Sequence, residues 1–502
     1  MKVSMSNSST IKINFRGGII SPGDLYNTLV ACTKVGIRNV SFGLRQQLLI
    51  NVSVENREAL LEELQLLTIA YETGNEKHPN IVSSYPAEEI FINNTWLSEG
   101  VYKDIFDGID YQPTLKINVS DSNQSFTPML TGNINWVAAK DAAHFWHLFI
   151  RFPKTNTIYE WNQLVYTNDV ARVSKEIEQI ILAHKERFSD NAEAQGETLM
   201  KLVHTDKYIT KPADKTVQLP TFNLPYYEGF NRYNNNKYWM GVYRRDELYS
   251  VDFLKEVSKL CLETKIGQLC STPWKSIIVK GIDEKDKAKW SLLLDKYHIN
   301  VRHAANELNF QVEDDCSEGL ALKNYLVKQL NNEDIRTFGL CIGIKTRSKS
   351  EVFSSILVKR KSLLKLFGWE LLHVYDVLCA NEFNPNERTG YVFSSNNPKF
   401  LLSEQLRRSI SAFYQHLEGK QAKVEKVVAP RKETDKKPVT VYVHQCSDCL
   451  TVYDETMGEP ESNIAAGVKF EALPADYCCP LCDAGKEAFV KVEKAMLGLQ
   501  TV

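Results

Sequence analysis

The chain has no surplus of either charge: 60 Lys and Arg stand against 62 Asp and Glu in 502 residues, a formal net charge of -2. That balance excludes a nucleic-acid or membrane surface built on bulk charge, so neither partner is expected. Long apolar runs are also missing, and with no stretch of about 18 apolar residues a membrane-spanning helix is not expected. Met1 to Thr10 is polar and lacks the apolar core of an export signal, which points to a cytoplasmic protein. Eleven cysteines, an odd number, then fit a reducing compartment in which thiols are free or metal-bound and structural disulfides are not expected. The sequence holds no Gly-x-Gly-x-x-Gly, no phosphate loop and no Ser or Cys nucleophile in a recognisable local setting. Gly17-Gly18 by itself reads as a turn rather than a phosphate cradle.

What is present begins with enough apolar material for several cores, 43% hydrophobic and 10% aromatic. Near the C-terminus stand two Cys-x-x-Cys hooks, Cys446-Ser-Asp-Cys449 and Cys479-Pro-Leu-Cys482. A tetrahedral metal needs four soft donors, and each hook lets two thiolates converge from one tight turn. Spacing alone does not separate zinc from iron, since both favour four thiolates. In either case the metal is expected to be part of the fold, because so short a segment buries too little apolar surface to stand alone.

Around the hooks run Tyr442-Val-His-Gln, Leu450-Thr-Val-Tyr-Asp-Glu455, Gly458-Glu-Pro460, Gly467-Val-Lys-Phe470 and Leu473-Pro-Ala-Asp-Tyr477, with Lys486 and Phe489 behind. This stretch resembles rubredoxin across nearly its whole length, including the Tyr-Asp pair after the first hook and the Leu-Pro turn before the second. The resemblance implies a one-electron carrier holding a single iron that cycles between ferric and ferrous, with Cys446, Cys449, Cys479 and Cys482 as metal ligands. Rubredoxins usually place Gly after each hook, where the backbone turns through positive φ, and here Leu450 and Asp483 stand there. Tyr477 replaces the usual Trp, and Cys478 is assigned to packing because only Cys479 directly precedes the proline.

Two composition breaks suggest the organisation. Residues 419–440 carry seven basic against three acidic side chains and read as a flexible basic linker, with a rubredoxin domain expected over 441–492. That last segment is acidic and suits transient docking to redox partner proteins, a reductase donor and an acceptor such as a nitrite or sulfite reductase. The second break, 192–237, holds Pro212, Pro220, Pro225 and Asn234 to Asn236 and reads as a connecting segment between halves at 10–191 and 238–418.

Those halves share a duplication. Leu25 to Ile50 lies without gaps on Leu254 to Val279, placing Leu25 on Leu254, Cys32 on Cys261, Ile37 on Ile266, and Leu48-Leu49-Ile50 on Ile277-Ile278-Val279. Each copy reads as a strand (Ile11 to Phe15, Tyr238 to Tyr243), a helix and two short strands, so an α+β fold is expected. With Gly17-Gly18-Ile19, Leu44-Arg45-Gln46 and Thr272-Pro273-Trp274-Lys275, the layout resembles the nitrite and sulfite reductase family, whose ferredoxin-like half-domains occur twice and alternate with catalytic half-domains. Segments 100–190 and 316–418 are then the partners, with Leu115 to Val119 and Phe338 to Ile344 as core strands. In that family sirohaem is bridged through cysteine to a four-iron cluster. This chain lacks the paired cysteines: Cys316 and Cys341 stand alone, and Cys32, Cys261, Cys270 and Cys379 are scattered, which suits packing.

The resemblance nonetheless leaves sirohaem as a possible cofactor, its carboxylates needing fixed cations. Arg45, at the family's Arg-Gln position, is the candidate cofactor-binding and catalytic residue, with Lys140, Lys345 and Arg347 as looser ones. His144 and His147 read as a packed pair, there being no third ligand near them. The leading expectation is iron-based electron transfer serving nitrite or sulfite assimilation. The alternatives are a sirohaem-type reductase with a fused donor, and an interaction protein carrying structural zinc.

Overall fold

The computed structural model describes residues 8–74, 77–92, 96–189, 191–233, 236–347, 352–366, 369–427, 442–459, 462 and 464–494. The chain divides into two compact units, Met1–Lys420 and Gln421–Val502.

The first unit opens with β1 (Ser8–Ile13), β2 (Ile19–Ile20), α1 (Pro22–Lys34), β3 (Asn39–Phe42), β4 (Leu48–Ser53), α2 (Arg57–Leu66) and β5 (Glu72–Thr73). Helix α1 starts where it does because Ser21 Oγ accepts the Asp24 N–H and Pro22 fits the first turn. Its apolar residues Leu25, Leu29 and Cys32 recur at helical spacing and are fully buried. There follow β6 (Val82–Ser83), α3 (Glu99–Gly108), β7 (Ile117–Ser120), β8 (Ile134–Ala138), β9 (Phe145–Arg151), β10 (Ile158–Tyr166), α4 (Val170–Ala183), the short α5 (Lys185–Phe188) and α6 (Gly196–Met200), and β11 (Thr210–Pro212). These strands form one sheet in the order β11-β10-β9-β8-β7-β6, parallel from β6 to β8 and antiparallel beyond.

The second half repeats the plan: β12 (Gly229–Tyr233), β13 (Lys237–Val242), β14 (Tyr249–Ser250), α7 (Val251–Glu263), β15 (Leu269–Ser271), β16 (Ile277–Asp283), α8 (Lys287–Lys296) and α9 (Ala305–Leu308). Then come β17 (Phe310–Val312), α10 (Ser317–Asn332), β18 (Ile342–Lys345), β19 (Ile356–Leu366), β20 (Trp369–Ala380), β21 (Gly390–Asn397) and α11 (Lys399–Val427). The sheet β17-β18-β19-β20-β21 is likewise parallel at first and antiparallel after β19.

The copies are interlocked. Strand β2 pairs with β15 of the other copy, and β14 pairs with β3, so the short strand before each helix completes the opposite sheet. Leu25, Cys32, Leu254 and Cys261 meet in one core between α1 and α7. Gly17 and Gly18 make this exchange possible: both adopt positive φ, and a Cβ on Gly17 would lie 2.4 Å from the Phe106 ring, one on Gly18 2.6 Å from Ser271 O.

Three local expectations change. The stretch 192–237 contributes β11 to one sheet and β12 to another rather than serving only as a connector. The strand expected from Phe338 begins at Ile342, because Gly339 turns the chain at φ 77° and leaves Phe338 exposed. The basic linker was expected to be flexible from 419, but α11 continues to Val427 through Lys, Gln, Ala and Glu, all good helix formers; residues 428–441 lie outside the described residues. Among the described residues no helix is long and apolar enough to cross a membrane.

In the second unit β22 (Tyr442–Cys446), β23 (Val452–Tyr453) and β24 (Phe489–Glu493) form an antiparallel sheet in the order β23-β22-β24. Its core is small and aromatic: Tyr453, Phe470, Tyr477 and Phe489 pack around Cys446 and Cys479.

Candidate metal centre

Both hooks are turns hung on this sheet. Cys446 ends β22, its N–H bonded to Thr451 O, and Cys479 N–H bonds Ala484 O in the matching position. The chain reverses after each hook through a left-handed residue, Leu450 at φ 66° and Asp483 at φ 61°, the two places where the sequence lacks glycine. The four thiols therefore face one another. Cys446 and Cys482 Sγ are 3.7 Å apart, Cys449 and Cys479 Sγ 3.4 Å, and all four lie within 4.8 Å. A metal bound by thiolates at about 2.3 Å places tetrahedral sulfurs about 3.8 Å apart. Among the described residues this is the one group of three or more His, Cys, Asp or Glu side chains close enough to share an ion.

The surroundings favour negative charge on sulfur. The Thr451 hydroxyl lies 3.1 Å from Cys449 Sγ, and hydrogen bonds from its hydroxyl and its N–H bring that thiol down to about 6. Cys482 receives the Ala484 N–H, which lowers its pKa, yet the neighbouring thiols of Cys449, Cys479 and Cys446 and partial desolvation push it up to about 12. Crowded thiols thus resist losing all their protons unless a cation shares the charge. Cys446 and Cys479 are buried, whereas Cys482 is exposed, as are Leu450 and Leu481. Tyr477 covers the cluster, its hydroxyl held by Glu459 at 2.8 Å. Cys478 points out of the cluster to Asp476 O and is exposed.

Arg45 lies on the β3–β4 turn of the first unit, where the sequence reading looked for a cofactor. Its guanidinium donates to Asn80 O at 2.6 Å, Ile117 O at 3.1 Å and Asn118 Oδ1 at 3.4 Å, tying the turn to β7. Arg45 and Arg347 line one cavity of about 180 Å³ together with Lys12, Lys116, Glu313 and Asp314. Sequence reasoning missed the last four, whose only signal was position in a pattern that repeats poorly across the halves. Glu313 accepts the Thr346 and Arg347 N–H groups, and Asp314 accepts that of Leu44. Lys275, from the Thr-Pro-Trp-Lys motif, is buried behind them against Glu247 at 2.5 Å and Asp314 at 3.6 Å.

A carboxylate-rich tetrapyrrole does not fit these residues. The space is below the range of about 300–1,000 Å³ usual for small-molecule sites. Arg45 spends its donors on the protein, and two carboxylates face the space. Nor do the thiols suit a cluster: Cys316 Sγ contacts Thr346 Oγ1 at 3.2 Å, while Cys341 Sγ accepts the Ser355 N–H at 3.2 Å. Burial raises the Cys341 thiol to about 12, as it does those of Cys32 and Cys261. Lys140 is not near Arg45; it follows β8, beside a different cavity that His147 also lines. Lys345 ends β18. His144 precedes β9 at φ 62° and His147 lies within it, so the two do not form a packed pair on one face.

The rubredoxin family profile matches residues 443–489. The rubredoxin of Megasphaera elsdenii is 52% identical over 50 residues, which are 10% of this chain and 94% of that protein. The high molecular weight rubredoxin of Moorella thermoacetica is 44% identical over 61 residues, 12% of this chain; the chain spans 27% of that relative's length. Among solved structures, the NirA protein of Mycobacterium tuberculosis superposes with a TM-score of 0.63 at 15% identity, covering 82% of this chain and 81% of that one. The likeness extends well beyond the rubredoxin segment and concerns the fold.

Proposed function

Because the chain belongs to the rubredoxin family through its C-terminal segment, we propose that it transfers single electrons through one iron held by Cys446, Cys449, Cys479 and Cys482. The observation that carries this reading is the convergence of four thiols at tetrahedral spacing inside a segment 52% identical to a rubredoxin. When bound, iron supplies a ferric/ferrous couple; the chain holds the sulfurs, donates hydrogen bonds to them and covers them with Tyr477. Cys482, at the surface, offers the shortest route for an electron to a docked protein.

Residues 10–418 serve in this proposal as a docking scaffold for redox partners in nitrite or sulfite assimilation, in a reducing cytoplasm. The NirA-like fold supports the pathway, while the narrow Arg45 cavity argues for a scaffold rather than a sirohaem reductase. Absorption spectra and metal analysis of the purified chain test it. A red protein bleached by dithionite, with one iron per chain, is expected; a colourless protein with one zinc overturns electron transfer. Porphyrin-type bands that survive removal of residues 420–502 would overturn the scaffold reading.

A further inference from the structure

The sheet holding β7 to β10 has two covered faces. Trp146, Leu148 and Ile150 of β9 face the main core with α3 and α4. By alternation His147 and Phe149 face the other way, where Val137, Phe149, Met129 and Leu130 make a small second core. Residues 213–220 cross this face as a strap. Ala213 N–H bonds Asn162 O at 2.9 Å, Val217 N–H bonds Glu160 Oε1 at 3.2 Å, and Val217 and Leu219 pack on the second core.

Between strap and sheet lies a cavity of about 660 Å³, bordered by Ser122 and Asn123 after β7, by Ala138 at the end of β8 and by Ala139 to Ala142 after it. A crevice beyond the carboxyl ends of parallel strands is a recurrent ligand position in α/β sheets, and this volume is within the usual range. Its lining carries Lys140, Lys211 and Lys215 against Asp141 and Asp214, a surplus of one positive charge. Lys215 approaches Asp141 at 3.7 Å, and Lys211 Nζ sits 4.3 Å from the centre of the Phe145 ring. Lys140 is exposed and makes no ion pair among the described residues.

The floor holds a second, independent feature. His147 lines the cavity and its ring makes no hydrogen bond among the described residues: Nδ1 is enclosed, with Glu160 Oε1 at 3.7 Å too far to bond, so a ligand meets the ring at its other edge. Burial depresses the pKa of the imidazole, so the ring is neutral and the carboxylate approach is no ion pair. A ligand hydroxyl can donate or accept and so satisfies either tautomer.

We propose that this cavity binds a small hydroxylated organic anion, with its charge at Lys140 and Lys211 and a hydroxyl on the His147 imidazole. The site is separate from the metal centre and independent of which metal that centre holds.

Isothermal titration of the full chain with malate, succinate, glycerol 3-phosphate and propyl phosphate, at matched ionic strength, tests the proposal. At least one hydroxylated probe should bind about tenfold more tightly than its hydroxyl-free analogue. Preference for malate assigns a carboxylate ligand and preference for glycerol 3-phosphate a phosphate. Lys140→Ala should weaken binding about tenfold, and Lys140→Glu further, in an exposed position that does not compromise folding. His147→Phe should erase the hydroxyl preference while preserving binding of the analogue. Absence of heat with all four probes overturns the site, and so does binding that is indifferent to both Lys140 variants. A hydroxyl preference that survives His147→Phe overturns the role of the imidazole.

Discussion

Leu450 and Asp483 occupy left-handed backbone in the two metal hooks, at φ 66° and 61°. For a branched side chain that conformation costs roughly 1 kcal/mol, and Leu450 is 65% exposed, so little burial offsets it. Leu450→Gly should stabilise the metal-loaded domain by about 0.5 kcal/mol, part of the relief being cancelled by the freer unfolded chain. Guanidinium unfolding followed at the visible band measures it. Asp tolerates the left-handed region better, so Asp483→Gly should gain less. Thr451 acts on charge rather than on strain: in the iron-loaded centre proposed above its hydroxyl would favour the reduced, more negative state, so Thr451→Val should move the reduction potential to more negative values. An unchanged potential in a spectroelectrochemical titration would show that the hydroxyl does not reach the sulfur once metal is bound.

At the scale of elements, α10 carries a lysine into the interior. Lys323 is 1% exposed, with Nζ 2.5 Å from Tyr243 Oη and 4.0 Å from Glu247, whose nearer partner is Lys275. Burial pushes the amine down to about 8 against an unfolded value of about 10.4. The sign follows directly: between those values the unfolded chain binds more protons, so stability rises with pH, and below pH 8 the cost of burying the cation is present in full. Lys323→Met should therefore stabilise the first unit at pH 7 by roughly 1–2 kcal/mol, since Glu247 keeps Lys275. The advantage should shrink toward pH 10. Denaturation of wild type and variant at both pH values checks this, and a destabilised variant would mean that Tyr243 and Glu247 more than repay the burial.

For the whole molecule, division into two compact units predicts separable unfolding. Among its described residues the second unit has a core cluster of seven buried side chains including two of the thiols, too little to stand without metal. Cys482→Ser should abolish the visible band and cooperative melting of residues 442–494, while the melting of residues 1–420 shifts by less than ~0.5 kcal/mol. Calorimetry separates the outcomes, and loss of both transitions would show that the units unfold together. If the acidic second unit docks on a basic partner, stopped-flow electron transfer should slow as salt shortens the screening length to about 10 Å near 0.1 M.

The sequence by itself determined the metal hooks and the duplicated core, because both depend on short-range spacing. Cys-x-x-Cys brings two donors together within one turn, and Leu25, Leu29 and Cys32 share a helical face whatever surrounds them. Tertiary structure decided what those elements do together. Pairing of β2 with β15 and of β14 with β3 interlocks the copies, and no local pattern announces which edge a two-residue strand will find. Arg45 was legible as a family position, but only the folded chain shows its donors consumed by Asn80, Ile117 and Asn118 from distant segments. The same holds for His147 and the strap over it. Spacing along the chain sets which side chains share a turn or a face; whether a buried polar atom is satisfied or left unpaired is set by residues that meet only after folding.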